Sequence, residues 1–80
     1  MNDLILSVLA EHGRLPVAPE SLGESDDLYA AGMTSHASIS VMLGLEDAFD
    51  VEFPDRMLTR EVFSTIASIR AALNELAAAA

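Results

Sequence analysis

Apolar residues recur every three or four positions in three separate stretches of this chain and nowhere alternate with period two over a useful length, so helices must build its core and no sheet is expected. The first stretch sets Leu4, Ile5, Val8 and Leu9 on one stripe, with Asn2 or Asp3 as cap and Gly13 as stop. The second opens at Thr34 or Ser35, either of which can cap it, and runs to about Asp50. There Ile39, Met42, Leu45 and Phe49 are expected to face the core, while Val41 and Leu43 lie off that stripe. The third is capped by Ser64, is led in by Val62 and Phe63, and carries Ile66, Ile69, Leu73 and Leu76; Ala77 to Ala80 are expected to fray.

The connections differ in kind. Residues 14 to 34 contain Pro16, Pro19, Gly23 and Gly32 without a sustained period and read as one long loop. A loop of about twenty residues is uncommon in a compact domain and is usually functional or disordered. Leu15, Val17, Leu22, Leu28, Tyr29 and Met33 give this one enough apolar surface to pack across the helices. Phe53 and Pro54 break the second pattern, and Asp55 starts a short helical turn through Arg56, Met57 and Leu58. Three longer helices and one short one predict an all-α, small four-helix bundle, a single domain over residues 1 to 80.

Charge narrows the partners. Thirteen Asp and Glu against four arginines leave a net charge of −9 on a chain that is 51% hydrophobic. That apolar fraction is too high for intrinsic disorder. Phosphates of nucleic acid and anionic lipid headgroups would be repelled, so neither nucleic acid nor membrane is an expected partner, whereas a basic protein surface is. The N-terminus has no positive region and carries Asp3, and no stretch approaches the roughly 18 apolar residues of a membrane span. A cytoplasmic monomer is the expectation.

Little here supports catalysis. There is no cysteine, the two histidines, His12 and His36, are not at ligand spacing, no glycine-rich phosphate loop occurs, and Asp26 with Asp27 lacks the other ligands of a calcium loop, so no metal site is expected. Ser35 and His36 are helix neighbours that point about 100° apart and do not form a nucleophile and base pair. Ser35 is interesting for its place. It follows Gly32, Met33 and Thr34 at a helix start, where N–H groups lack partners and the macrodipole is positive, so an anion on its hydroxyl would be stabilised. On local position alone, a simple capping serine is the better reading.

Longer motifs change that balance. Asp27-Leu28-Tyr29, then Gly32-Met33-Thr34-Ser35, then the run Leu45-Glu46-Asp47-Ala48-Phe49-Asp50-Val51-Glu52-Phe53-Pro54-Asp55 resemble the acyl carrier protein family, with its peptidyl, aminoacyl and D-alanyl carriers. The likeness spans nearly the whole chain, in the order helix, long loop, serine-led helix, short helix, last helix. It implies a four-helix bundle of the acyl-carrier type in which Ser35 is esterified by 4′-phosphopantetheine taken from coenzyme A. The chain departs from the family's Asp-Ser-Leu pattern with Thr34-Ser35-His36, and Ala37 and Ser40 stand where acids are usual. Those changes point away from fatty-acid synthesis and toward a specialised carrier with its own loading enzyme, an aminoacyl carrier first.

The resemblance implies a protein that is not an enzyme. A phosphopantetheinyl transferase would modify Ser35, an acyl- or aminoacyl-loading ligase would attach cargo as a thioester on the arm, and downstream transferases would remove it. Partner recognition is expected at His36, Leu43, Glu46, Asp47 and Asp50, where five acids, including Glu52 and Asp55, lie within ten residues. A basic, partly apolar enzyme surface would be steered to that face. The bland alternative is a solvated acidic face. The rival function is a small acidic helical adaptor that binds a basic protein, with Ser35 only a cap.

Overall fold

The computed structural model describes residues 2 to 79, and side chains from 3 to 78. The chain folds as three α-helices, α1 (Asn2–His12), α2 (Ser35–Phe49) and α3 (Ile66–Ala79), with no strand among the described residues. Two 3-10 turns, Pro19–Ser21 and Asp55–Met57, punctuate the connections. The short helix expected after Pro54 is therefore one 3-10 turn starting at Asp55. It is too brief to count as a fourth packed helix, although it buries Met57.

Each helix start reflects local chemistry. Asp3 lies in the first turn of α1, where its charge suits the positive helix end. The alternative cap, Asn2, has its side chain outside the described residues. Thr34 caps α2 by accepting from the Ala37 N–H at 3.0 Å. At α3 the cap is Thr65 and not Ser64. Thr65 Oγ1 accepts from the Ser68 N–H at 3.0 Å while Ser68 Oγ accepts from the Thr65 N–H at 3.1 Å, a reciprocal capping box. Ser64 donates its hydroxyl to the Glu61 carbonyl instead, and its own carbonyl receives the Leu28 N–H. At the other end α3 is helical through Ala79, in keeping with alanine's helix propensity; Ala80, the last residue of the stretch expected to fray, is outside the described residues.

The core draws on every segment. Ile5, Val8 and Leu9 from α1 meet Ile66, Ile69, Ala72 and Leu73 from α3, while Leu4 turns to solvent. The long loop contributes buried Leu28 and Met33 and packs Leu15, Leu22 and Tyr29 against them; Val17 is exposed. It is tied down where α3 begins, by the Ala67 N–H to the Glu24 carbonyl at 3.0 Å and by the Arg70–Glu24 ion pair. From the second connection, Phe53 and Phe63 meet edge to face at 5.3 Å between centroids.

The buried face of α2 differs from expectation. Ala37, Val41 and Leu45 are buried, Met42 and Phe49 pack at the rim, and Ile39 is 55% exposed. Val41 and Ile39 stand about 200° apart on the helix, so the true face is nearly opposite one end of the expected one. Gly44 explains the choice. A β-carbon there would lie 2.9 Å from Val8 Cγ1 and 2.7 Å from His12 Cδ2, so its absence lets α1 approach closely. That approach turns Val41, Gly44 and Leu45 toward α1.

Candidate functional site

Ser35 is the first residue of α2 and is exposed. Because Thr34 performs the capping, the Ser35 hydroxyl makes no hydrogen bond among the described residues. Ser38 bonds within the first turn. The Ser38 N–H bonds the Thr34 carbonyl at 2.9 Å, and Ser38 Oγ donates to the Ser35 carbonyl at 2.6 Å. The N–H groups of Ser35 and His36 have no capping partner among the described residues, and no acidic side chain occupies this turn. An anion on Ser35 Oγ would meet donors and a positive helix end.

The loop before Ser35 is built to hold it there. Asp27 Oδ1 accepts from the Tyr29 N–H at 2.9 Å, the Met33 N–H returns to the Leu28 carbonyl at 3.0 Å, and buried Leu28 and Met33 anchor both ends. Gly32 between them has φ +125, and a β-carbon there would lie 2.7 Å from Pro16 Cδ. Only glycine takes that backbone without strain. Gly32→Ala is expected to cost about 1 to 3 kcal/mol in a urea unfolding curve from strain and overpacking together. A midpoint equal to wild type would mean that the loop relaxes freely around the new methyl.

Beside Ser35 runs a groove of about 500 Å³. One wall is α2, through Ser35, Ser38, Ile39 and Met42; the other is the segment before α3, through Leu58, Thr59, Arg60 and Phe63. Tyr29 from the long loop lies at the groove with the Arg60 guanidinium carbon 4.0 Å above its ring centroid. The loop-anchor role expected of Tyr29 thus comes with a second one, seating an arginine. Arg60 belongs to this site without a sequence signal that marks it, since only the folded connection brings it beside α2.

The expected partner residues divide. His36, Leu43, Asp47 and Asp50 are exposed, Leu43 at 56%. Glu46 is half-buried and internally engaged, its Oε2 accepting from the Phe53 N–H at 2.9 Å. Its carbonyl also receives the N–H groups of Asp50 and Val51 as α2 ends, with Asp50 in the left-handed conformation at φ 53. Ile39, expected in the core, joins the exposed side. Ser35, Ile39, Leu43 and Asp47 fall four residues apart and are all exposed, so a hydroxyl, two apolar side chains and an acid follow one another along one side of α2.

Comparison with known proteins agrees with this arrangement. A family model described as a phosphopantetheine attachment site matches residues 4 to 73. An aminoacyl carrier protein of Agrobacterium fabrum is 48% identical over 69 residues, covering 86% of this chain and 83% of that protein. Among solved structures, a chain in a crystal structure of an engineered Bradyrhizobium japonicum glycine:[carrier protein] ligase complexed with carrier protein from Agrobacterium tumefaciens and AMP superimposes with a TM-score of 0.90 at 44% identity, covering 92% of this chain and 99% of that one. A chain in the B. japonicum ligase complexed with glycylated carrier protein gives a TM-score of 0.75 at 25% identity, covering 89% of this chain and 95% of that one. An all-helical chain with a free serine hydroxyl leading α2, matched over 4 to 73, belongs to the phosphopantetheine attachment site family and has 4′-phosphopantetheine as its covalent group.

Proposed function

We propose that this protein is an aminoacyl carrier modified on Ser35. The observation that carries the assignment is the free Ser35 hydroxyl at the head of α2, left unbonded because Thr34 takes the cap. The surroundings fit a phosphodiester. Two unpartnered N–H groups and the helix macrodipole favour a negative charge there, and the groove gives the group room to lie along α2. Exposure presents Ser35 to a phosphopantetheinyl transferase, which brings the catalytic groups. When bound, the group supplies a terminal thiol on which a carboxylic acid is held as a thioester. This chain's own part is to position Ser35, to stabilise the charge and to present a surface to partners.

The aminoacyl cargo is supported by 48% identity to an aminoacyl carrier protein and by likeness to a carrier complexed with a glycine:[carrier protein] ligase. A loading ligase of that kind, then downstream transferases, are the expected partners. Ile39 and Leu43 offer them apolar contact beside Asp47 and Asp50, and His36 stands next to Ser35. Glu46 serves this face indirectly, by fixing the exit of α2 through Phe53.

The test is loading of the phosphopantetheinylated protein by an amino acid:[carrier protein] ligase with ATP and glycine, followed by intact mass. One aminoacyl increment, reversed by hydroxylamine, is expected; acylation by a fatty acyl ligase with no aminoacylation would overturn the cargo assignment. In the same assay Asp47→Lys is expected to slow association about threefold at low salt and much less at high salt, because steering by exposed charges is screened. An unchanged rate at low salt would leave the acidic face merely solvated.

A further inference from the structure

We propose that Arg60 is a positioning residue for the phosphodiester on Ser35, leaving the Tyr29 ring to pair with the phosphate once Ser35 is modified. This rests on the assignment of Ser35 as the attachment residue. The chain has four arginines among thirteen acids, so an arginine without a carboxylate partner needs a reason. Arg56 pairs with Glu75 at 2.9 Å, and Arg70 pairs with Glu24. Arg14, after α1, likewise makes no ion pair among the described residues, but it does not line the groove that holds Ser35. Arg60 makes no ion pair among the described residues; it rests instead on Tyr29, in the same groove as Ser35.

The chemistry of the two states favours a move. Stacking on the half-buried, uncharged Tyr29 ring holds a guanidinium less firmly than a direct pair with a full negative charge. A phosphodiester carries a permanent negative charge, and the planar donor fork of arginine matches its oxygens. Neighbouring acids compete poorly, since no acidic side chain lies in the first turn of α2 and none lines the groove. Modification also adds a negative charge to a chain already at −9, which by itself destabilises the compact form through repulsion. A paired phosphate reverses that sign locally. Withdrawal of Arg60 from Tyr29 would also uncover the ring at the side of the groove where the new group is attached.

Thermal unfolding of unmodified and phosphopantetheinylated protein at low salt, for wild type and Arg60→Gln, tests this after intact mass has verified modification on Ser35. Modification is expected to raise the wild-type Tm by about 4 °C, a shift readable in a domain of this size. In Arg60→Gln most of that rise is expected to disappear, with Arg60→Lys falling between. A merely structural Arg60 would lower both forms alike and leave the difference untouched, so equal shifts in wild type and Arg60→Gln overturn the proposal. Independently of any variant, the Arg60 Nε–H and Tyr29 ring resonances of the wild-type protein are expected to move together on modification. Resonances that stay in place also overturn it. Absence of a mass gain on Ser35 is a different failure, of the attachment assignment itself, and removes the phosphate that Arg60 would hold.

Discussion

Ser35→Ala is expected to gain no mass when incubated with coenzyme A and a broad-specificity phosphopantetheinyl transferase, while keeping wild-type stability to within about 0.5 kcal/mol. The first half follows from the proposed attachment at Ser35, the second from one hydrogen bond. Thr34 Oγ1 accepts from the Ala37 N–H, so the Ser35 hydroxyl is not the cap and its removal leaves no buried group unsatisfied. Alanine at the first helical position also carries no conformational cost. Thr34→Ala is the complementary variant. It removes the cap and is expected to cost about 0.5 to 2 kcal/mol in urea unfolding, with Ser35 still modified. The two variants therefore separate attachment from capping. Mass gain that survives Ser35→Ala would move the attachment residue elsewhere. A Ser35→Ala protein as destabilised as Thr34→Ala would make Ser35 a structural residue first.

Sequence alone made the helices legible because their starts and stops carry strong local chemistry. Gly13 closes α1, the Thr34-Ser35 pair opens α2, and Phe53-Pro54 follows its end, all as the punctuation predicts. The packing of the long loop was also readable, from Leu28 and Met33, which are buried as their apolar character requires. What local chemistry does not encode is which of two adjacent candidates wins. Thr65 displaces Ser64 as the cap of α3 because Ser68 lies three residues ahead to complete the box, a signal present in the sequence at the right spacing. At α2 the equivalent contest between Thr34 and Ser35 decided whether the Ser35 hydroxyl is bonded or free, and so whether it can be modified without loss of the cap.

The groove beside Ser35 was beyond local reading for a different reason. Its second wall comes from residues 58 to 63, which have no helical period, and only tertiary contact sets Arg60 over Tyr29. Glu46 shows the same limit from the other direction. Read as one of five acids in a run, it looks interchangeable with Asp47, yet its carboxylate reaches seven residues along the chain to hold Phe53. Charge patterning does not distinguish the acid that shapes the end of α2 from Asp47 and Asp50, which stay exposed.

Leu45→Ala is expected to bring the protein close to unfolding, and Ile39→Ala to leave it stable but slow to load. Each side chain lies on the stripe that periodicity alone assigned to the core, so the pair asks which way α2 faces. Leu45 is 0% exposed among α1 and α3 residues of the core, and truncation there costs about 2 to 5 kcal/mol through lost transfer energy and the cavity left behind. A core of this size supplies roughly 3 to 5 kcal/mol in all, with no disulfide to add to it. Ile39 is 55% exposed, so its truncation is expected to cost less than about 1 kcal/mol. Its loss should instead reduce the rate of aminoacylation by the ligase, since Ile39 lies between Ser35 and Leu43 on the exposed side of α2. Circular dichroism at increasing urea and the loading assay read the two effects separately. Equal destabilisation by the two variants would turn the α2 face back toward Ile39, and with it would go the close approach of α1 at Gly44 that sets Ser35, Ile39 and Leu43 on the surface together.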